Sequence, residues 1–118
     1  MKSIEIISIP VTDQEKAKAF YVDQLGFSII NEAPFDSGQK WIQLGLPGTQ
    51  TTITLVNWFK DMPAGCIQGL LISTDDIQLD IDTLIGKGIN VGKIDSMPWG
   101  KFANFKDPDG NGWSLHER

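Results

Sequence analysis

The chain repeats one order of elements twice. IEIISIPVTDQEKAKAFYVDQLGF, KWIQLGLPG and TTITLV are answered by CIQGLLISTDDIQLDIDTLIGKGI, KFANFKDPD and GWSLHE. Asp13 before the first helical stretch matches Asp76 before the second, and Gly26-Phe27 matches Gly88-Ile89. Lys40, Trp41, Leu44 and Pro47 match Lys101, Phe102, Phe105 and Pro108 at one constant offset. A repeat of this length means two copies of one supersecondary unit, each too small to bury its own apolar face. A site shared by both copies then draws on equivalent positions.

Each copy reads as β-α-β-β-β. Ile4 to Val11 is isoleucine-rich and strand-like, with Pro10 near the end of pairing. Thr12-Asp13-Gln14-Glu15 has a capping-box pattern in which Thr12 and Glu15 satisfy free backbone donors at a helix start. Ala17, Phe20, Tyr21, Gln24 and Leu25 recur at helical spacing, and Gly26 is placed to end the helix in a left-handed conformation. Strands are expected over 27–32, 41–46 and 51–56, with loop signals at 33–39 and a hairpin at 47–50. In the second copy, strands are expected over 67–73, 89–94, 101–105 and 112–117. Asp75 or Asp76 caps a helix carrying Ile77, Ile81, Leu84 and Ile85; the alternation of Ile77, Leu79 and Ile81 is a rival strand signal, and the aspartates and Gly86/Gly88 favour the helix. The expected class is α+β, one domain of two tandem modules: about 1–57, a linker about 58–65, and about 66–118.

Composition narrows the function. A net charge of −5 with scattered basic residues argues against nucleic acid, which needs a basic face to displace counterions from phosphates. No apolar run approaches the roughly 18 residues of a membrane span, and Met1 to Glu5 lacks a signal-peptide pattern. The single cysteine, Cys66, excludes an internal disulfide and suits a reducing cytoplasm.

Ile9-Pro10-Val11-Thr12-Asp13, Ala19-Phe20-Tyr21, Leu25-Gly26-Phe27, Pro98-Trp99-Gly100 and Asp107-Pro108-Asp109-Gly110-Asn111, in this order, resemble the glyoxalase/bleomycin-resistance family of the vicinal-oxygen-chelate superfamily. The resemblance covers nearly the whole chain. It implies that each module curls its sheet into a half-barrel with the helix outside, and that two modules form a cup around a ligand. Small two-module members usually dimerise so that modules of different subunits complete each cup. Enzymes of the family hold a divalent metal there through His, Gln or Glu on the first and last strands of each module.

The equivalent positions here, counted from Asp13, Asp76 and Asn111 and by matching Ile53/Leu55 to Trp113/Leu115, are Ile6, Gly69, Ser114 and Thr54. None is a usual metal ligand. A one-residue slip would bring in Glu5, but Glu5 shares parity with Ile7, Ile9 and Val11, and the slip would turn that hydrophobic set outward. No metal or other cofactor is expected. His116 lacks a carboxylate or thiol placed beside it by the sequence, and a partly exposed surface role is favoured over catalysis. For Cys66 a buried inert thiol or a boundary residue is favoured over a nucleophile.

The parity set by Ile6 adds Ser8, Thr52, Val56, Leu71 and Ser73 to the cup face. Trp41, Gln43, Phe102 and Asn104 are candidates from the third strands, and the resemblance lays the loop bearing Trp99 over the cup. Trp113 is expected under a helix, and Trp58 either anchors the linker or covers a dimer interface; for Trp41 and Trp99, ligand contact and core or subunit contact stand as equals. The candidate ligand-binding set is therefore Ile6, Ser8, Trp41, Gln43, Thr54, Gly69, Leu71, Trp99, Phe102 and Ser114, with no catalytic or metal residue. It favours metal-independent binding of a small hydrophobic, aromatic or cationic compound, and the resemblance implies a homodimer. One alternative is a metal-dependent isomerase, lyase or dioxygenase of the same superfamily, drawing on Glu5, Glu32 or His116. The other is a non-catalytic scaffold or sensory module whose cup its own side chains fill.

Overall fold

The computed structural model describes residues 1–118. The first sheet contains β1 (Ile6–Pro10), β2 (Ser28–Pro34), β3 (Lys40–Gly45) and β4 (Thr52–Val56), in the order β1-β4-β3-β2. The second contains β5 (Leu70–Ser73), β6 (Asp95–Met97), β7 (Gly100–Lys106) and β8 (Gly112–Glu117), in the order β5-β8-β7-β6. The first strand of each sheet runs parallel to the last, and the remaining pairs are antiparallel. Helix α1 (Gln14–Ala19) continues as a π-helical turn, Phe20–Gln24, and α2 spans Ile77–Gly86. The fold is α+β, with two like modules in tandem.

Local chemistry explains the helix starts. Asp13, not Thr12, caps α1: its carboxylate accepts from Glu15 N at 3.0 Å and Lys16 N at 3.1 Å. The expected Thr12–Glu15 box does not form, because Thr12 Oγ1 and N both donate to Asp109 of the second module. Asp76 caps α2 through Leu79 N at 3.1 Å, and Glu117 accepts from Ile77 N at 2.9 Å. Ile77, Ile81 and Leu84 are buried, so the helical spacing prevails over the alternation, while Ile85 and Leu79 face solvent. Gly26, at φ +95°, ends the first helical segment in the expected left-handed conformation.

The segment 89–94, expected as a strand, forms none. Ile89 is drawn into the core, Gly92 N donates to Asn104 O, and pairing with β7 begins only at Asp95. The turn at Pro98-Trp99 aligns Met97 with Gly100 and Asp95 with Phe102.

Alternation sorts the side chains by face. Ile9, Val11, Ile42, Leu44, Ile53 and Leu55 are buried with Ala17, Phe20 and Tyr21 of the first helical segment. Ala103, Phe105, Trp113 and Leu115 are buried with Ile77, Ile81 and Leu84 of α2. Both sets join in one core. Tyr21 is the hinge pin: it packs edge-on against Phe20, Phe27 and Trp113, with centroids 5.2–5.9 Å away. Its hydroxyl donates to Asp107 Oδ2 at 2.7 Å and accepts from Trp113 Nε1 at 3.0 Å. Trp113 is therefore buried, as its parity implied, but it bridges the modules rather than serving α2 alone.

The Asp107–Asn111 turn is the second fastening. Asp107 Oδ1 accepts from Asp109 N and Asn111 N, both at 2.9 Å, and Oδ2 also accepts from Asn111 Nδ2 at 2.8 Å. Asn111, fully buried, donates to Pro10 O at 2.9 Å and accepts from Ile67 N at 3.1 Å. The same side chain thus closes its own turn and ties β1 to the start of the second module.

Candidate functional site

On the face of the first sheet away from α1, cross-strand partners set the neighbours. Ile6 lies opposite Thr52 and Ser8 opposite Thr54, and Gln43 pairs with both Thr54 and Asn31. Trp41 Nε1 donates to Gln43 Oε1 at 3.3 Å, and Gln43 Nε2 donates to Thr52 Oγ1 at 3.0 Å. Thr54 Oγ1 lies 3.4 Å from Ser8 Oγ, and Thr54 is buried. Ile6, Ser8, Trp41, Gln43 and Thr54 therefore form one continuous patch.

Phe35 and Trp58 extend this patch. The Phe35 ring stands 6.1 Å from Trp41 and 4.7 Å from Trp58, and Phe59 is 6.2 Å beyond Trp58. Phe35 and Phe59 are about half exposed. Sequence reasoning missed this cluster because Phe35 sits in a turn and Trp58 in the connection between modules. A signal was present for Trp58: it continues the parity of Thr54 and Val56 past the end of β4.

The second sheet presents the equivalent face. Leu71 lies opposite Ser114 and is 55% exposed. Gly69 is exposed, and the place its Cβ would take meets no atom within 4 Å. Ser114 Oγ donates to Asn104 Oδ1. Phe102 stacks on His116 with centroids 4.4 Å apart and planes 4° from parallel, and the His116 Nε2 lies 3.3 Å from Trp99 O. Trp99 itself is 65% exposed. His116 is thus partly exposed, as expected, and stacks on Phe102. Cys66 is exposed at the end of the connection, which corrects the buried-thiol expectation and leaves the boundary role.

The two faces do not meet within the chain. A cleft of about 790 Å3 between the first helical segment and β7–β8 takes in Gly69, Asn104 and Ser114. A second, of about 470 Å3, lies between the hairpin at 46–51 and β5 and takes in Leu71 and Ser73. Ile6, Ser8, Trp41, Gln43 and Thr54 line neither.

The donor set does not fit a divalent metal. Ile6 and Gly69 offer no side-chain donor, and the Thr54 and Ser114 hydroxyls are engaged with Ser8 and Asn104. No three His, Cys, Asp or Glu side chains converge, and no buried side-chain polar atom is left without a partner. Of the alternative donors, Glu32 pairs with Lys18 on the helix side, at 3.1 Å, and Glu5 is exposed. The hydrogen bond to Glu32 raises the Lys18 pKa above its ordinary value, partial burial opposing it and the Glu15 charge adding to it.

Two βαβββ modules in tandem, each with a sheet face of hydroxyl, amide and aromatic groups, place the chain in one class of two-module α+β proteins. The sequence profile of the Glyoxalase/Bleomycin resistance protein/Dioxygenase superfamily matches residues 3–115, and the chain belongs to that superfamily. It is 31% identical over 121 residues to the uncharacterized protein YetH of Bacillus subtilis (strain 168), covering 99% of each chain. Among solved structures it is similar to TnmS3, an antibiotic binding protein from Streptomyces sp. CB03234, with 41% identity and a TM-score of 0.94 over 99% of this chain and 96% of that one. It is also similar to a superfamily member from Sphaerobacter thermophilus DSM 20745, with 33% identity and a TM-score of 0.90 over 100% of this chain and 98% of that one.

Proposed function

We propose that this protein binds and sequesters a small hydrophobic, aromatic or cationic compound without a metal. The observation that carries the reading is the aromatic cluster of exposed Phe35 and half-buried Trp41 and Trp58, continuous with the Gln43, Thr52, Thr54 and Ser8 polar groups. A flat ligand gains contact area on such rings, amide and hydroxyl groups fix its orientation, and a cation gains roughly 0.5–2 kcal/mol over an indole face. The likeness to TnmS3, an antibiotic binding protein, supports the same direction.

The cup that encloses the compound is completed between two copies. Ile29, Ile30, Phe35, Leu71, Met97 and Trp99 are all more than 40% exposed. The accessible surface of 7361 Å2 exceeds the about 6,400 Å2 expected of a monomer of 13.1 kDa. A homodimer brings the first module of one copy over the second module of the other, and residues from both line the enclosed space: Ile6, Ser8, Trp41, Gln43 and Thr54 from one, and Gly69, Leu71, Trp99, Phe102 and Ser114 from the other.

The test is metal analysis of the purified protein followed by a melting screen with divalent metals, chelator and planar aromatic compounds, proflavine among them. A compound at a hundred times its Kd adds about 2.7 kcal/mol of stability. With about 0.25 kcal/mol/K of unfolding entropy for a chain of this size, the Tm rises about 11 °C. Chelator leaves the Tm unchanged. Stoichiometric metal, with a Tm that metal raises and chelator lowers, refutes the reading.

A further inference from the structure

The modules differ where β3 meets β4. In the second module the equivalent strands pair without interruption from Lys101–Glu117 to Lys106–Gly112. In the first, only Gln43–Thr54 and Leu44–Ile53 are paired, and the ladder stops before Trp41. The residue after the helix-capping aspartate also differs: Gln14 in the first module, Ile77 in the second.

Gln14 occupies the place where the ladder stops. It is 9% exposed, and its Nε2 donates to Lys40 O at 2.7 Å and to Leu55 O at 2.8 Å. Its Oε1 accepts from Lys40 N at 3.1 Å. One side-chain amide therefore holds both peptide groups of Lys40 and a carbonyl of β4, in place of the missing strand-to-strand bonds. The Lys40 ammonium is held on the same side, 3.4 Å from Glu15 and 3.7 Å from Glu32.

The consequence appears on the opposite face of the sheet. In the second module the closed ladder sets Phe102 directly across from His116, and the two rings stack on each other. Trp41 is the equivalent of Phe102, but it has no cross-strand partner on β4. Its ring is left to Phe35, Gln43 and whatever enters the cup. We infer that Gln14 is a positioning residue for Trp41: from the helix side of the sheet it holds β3 apart from β4 and keeps the indole face available to ligand. The ligand clause rests on the binding role proposed above, whereas the placement of Trp41 does not.

The experiment uses protein labelled with 5-fluorotryptophan, whose four tryptophan resonances are assigned by single Trp→Phe variants. In Gln14→Met, which keeps the volume and removes the hydrogen bonds, the Trp41 resonance shifts, and amide exchange at Lys40 accelerates. The Trp99 and Trp113 resonances stay in place. Gln14→Asn, with the amide one methylene shorter, gives the same pattern at smaller amplitude and serves if the methionine variant does not fold. A Trp41 resonance unmoved in a folded variant, or four resonances moving alike, overturns the inference. A second arm measures proflavine. If it binds the wild type, Gln14→Met weakens it about tenfold and Gln14→Met causes no further loss in a Trp41→Phe background; equal loss in both backgrounds overturns the inference. If proflavine and the rest of the panel fail to bind, the binding role falls, and the resonances still decide for or against Gln14.

Discussion

Replacing Tyr21 with Phe removes one oxygen from the junction of the modules. Tyr21 is fully buried, and its hydroxyl has two partners, Asp107 Oδ2 and Trp113 Nε1. The variant leaves the Trp113 N–H buried without an acceptor, at a cost of about 1–3 kcal/mol, and strips Asp107 of a charge-assisted bond worth about 1.5–3 kcal/mol. The two losses share one network and do not simply add, so a total of about 2–4 kcal/mol is expected. At about 4 °C per kcal/mol for a chain of this size, the Tm falls about 8–16 °C. Urea denaturation followed by tryptophan fluorescence measures the free energy directly. The chain has a single tyrosine, so its ionisation can be followed alone. Burial, then the Asp107 charge and hydrogen bond, push the phenol pKa far above its ordinary value. The unfolded chain releases this proton near pH 10 and the folded chain does not. The folded state therefore keeps the contribution below about pH 10 and loses up to about 1.4 kcal/mol per pH unit above it. The tyrosinate band should appear together with unfolding, and the Tyr21→Phe protein should lack this part of the alkaline slope. A stability loss under about 0.5 kcal/mol, or a tyrosinate band near pH 10 in a protein that keeps its folded spectrum, refutes the reasoning.

Asp13→Ala removes the acceptor for Glu15 N and Lys16 N and should cost about 1 kcal/mol by urea denaturation, with no change in compound binding. Gly65→Ala puts a Cβ against Asp109 O at a φ of +85°, and should lower the Tm well beyond what Gly86→Ala does on the open surface of α2. Leu71→Asp places a charge on a face proposed to lie in the dimer; sedimentation should show a monomer where the wild type is a dimer, with the melting point of the separate chain little changed.

Much of the scaffold was legible because each feature rests on short-range chemistry. Asp76 as a cap, Gly26 as a helix end and the inward parity of Ile9 and Val11 need only a few neighbouring residues to be understood. The positions Ile6, Thr54, Gly69 and Ser114 came from the family resemblance, by counting from Asp13, Asp76 and Asn111 and by matching the two modules, and parity served only to exclude a one-residue slip to Glu5. The segment 89–94 failed the same test. Ile89 is buried in the common core instead of alternating across a sheet, and local pattern does not separate those outcomes. Thr12 also misled, because its hydroxyl had a capping role within reach in sequence and a stronger one on Asp109, far away along the chain.

The sequence by itself determined a duplicated βαβββ chain and the residue types at the positions that the family resemblance assigns to metal ligands. Repetition, capping and alternation are written at separations of a few residues. Tertiary structure alone decided that Phe35 and Trp58 join Trp41, that His116 is occupied by Phe102, and that Gln14 stands between β3 and β4. Each of these joins side chains from different elements, and their meeting depends on where strands part and loops return, which no local preference encodes.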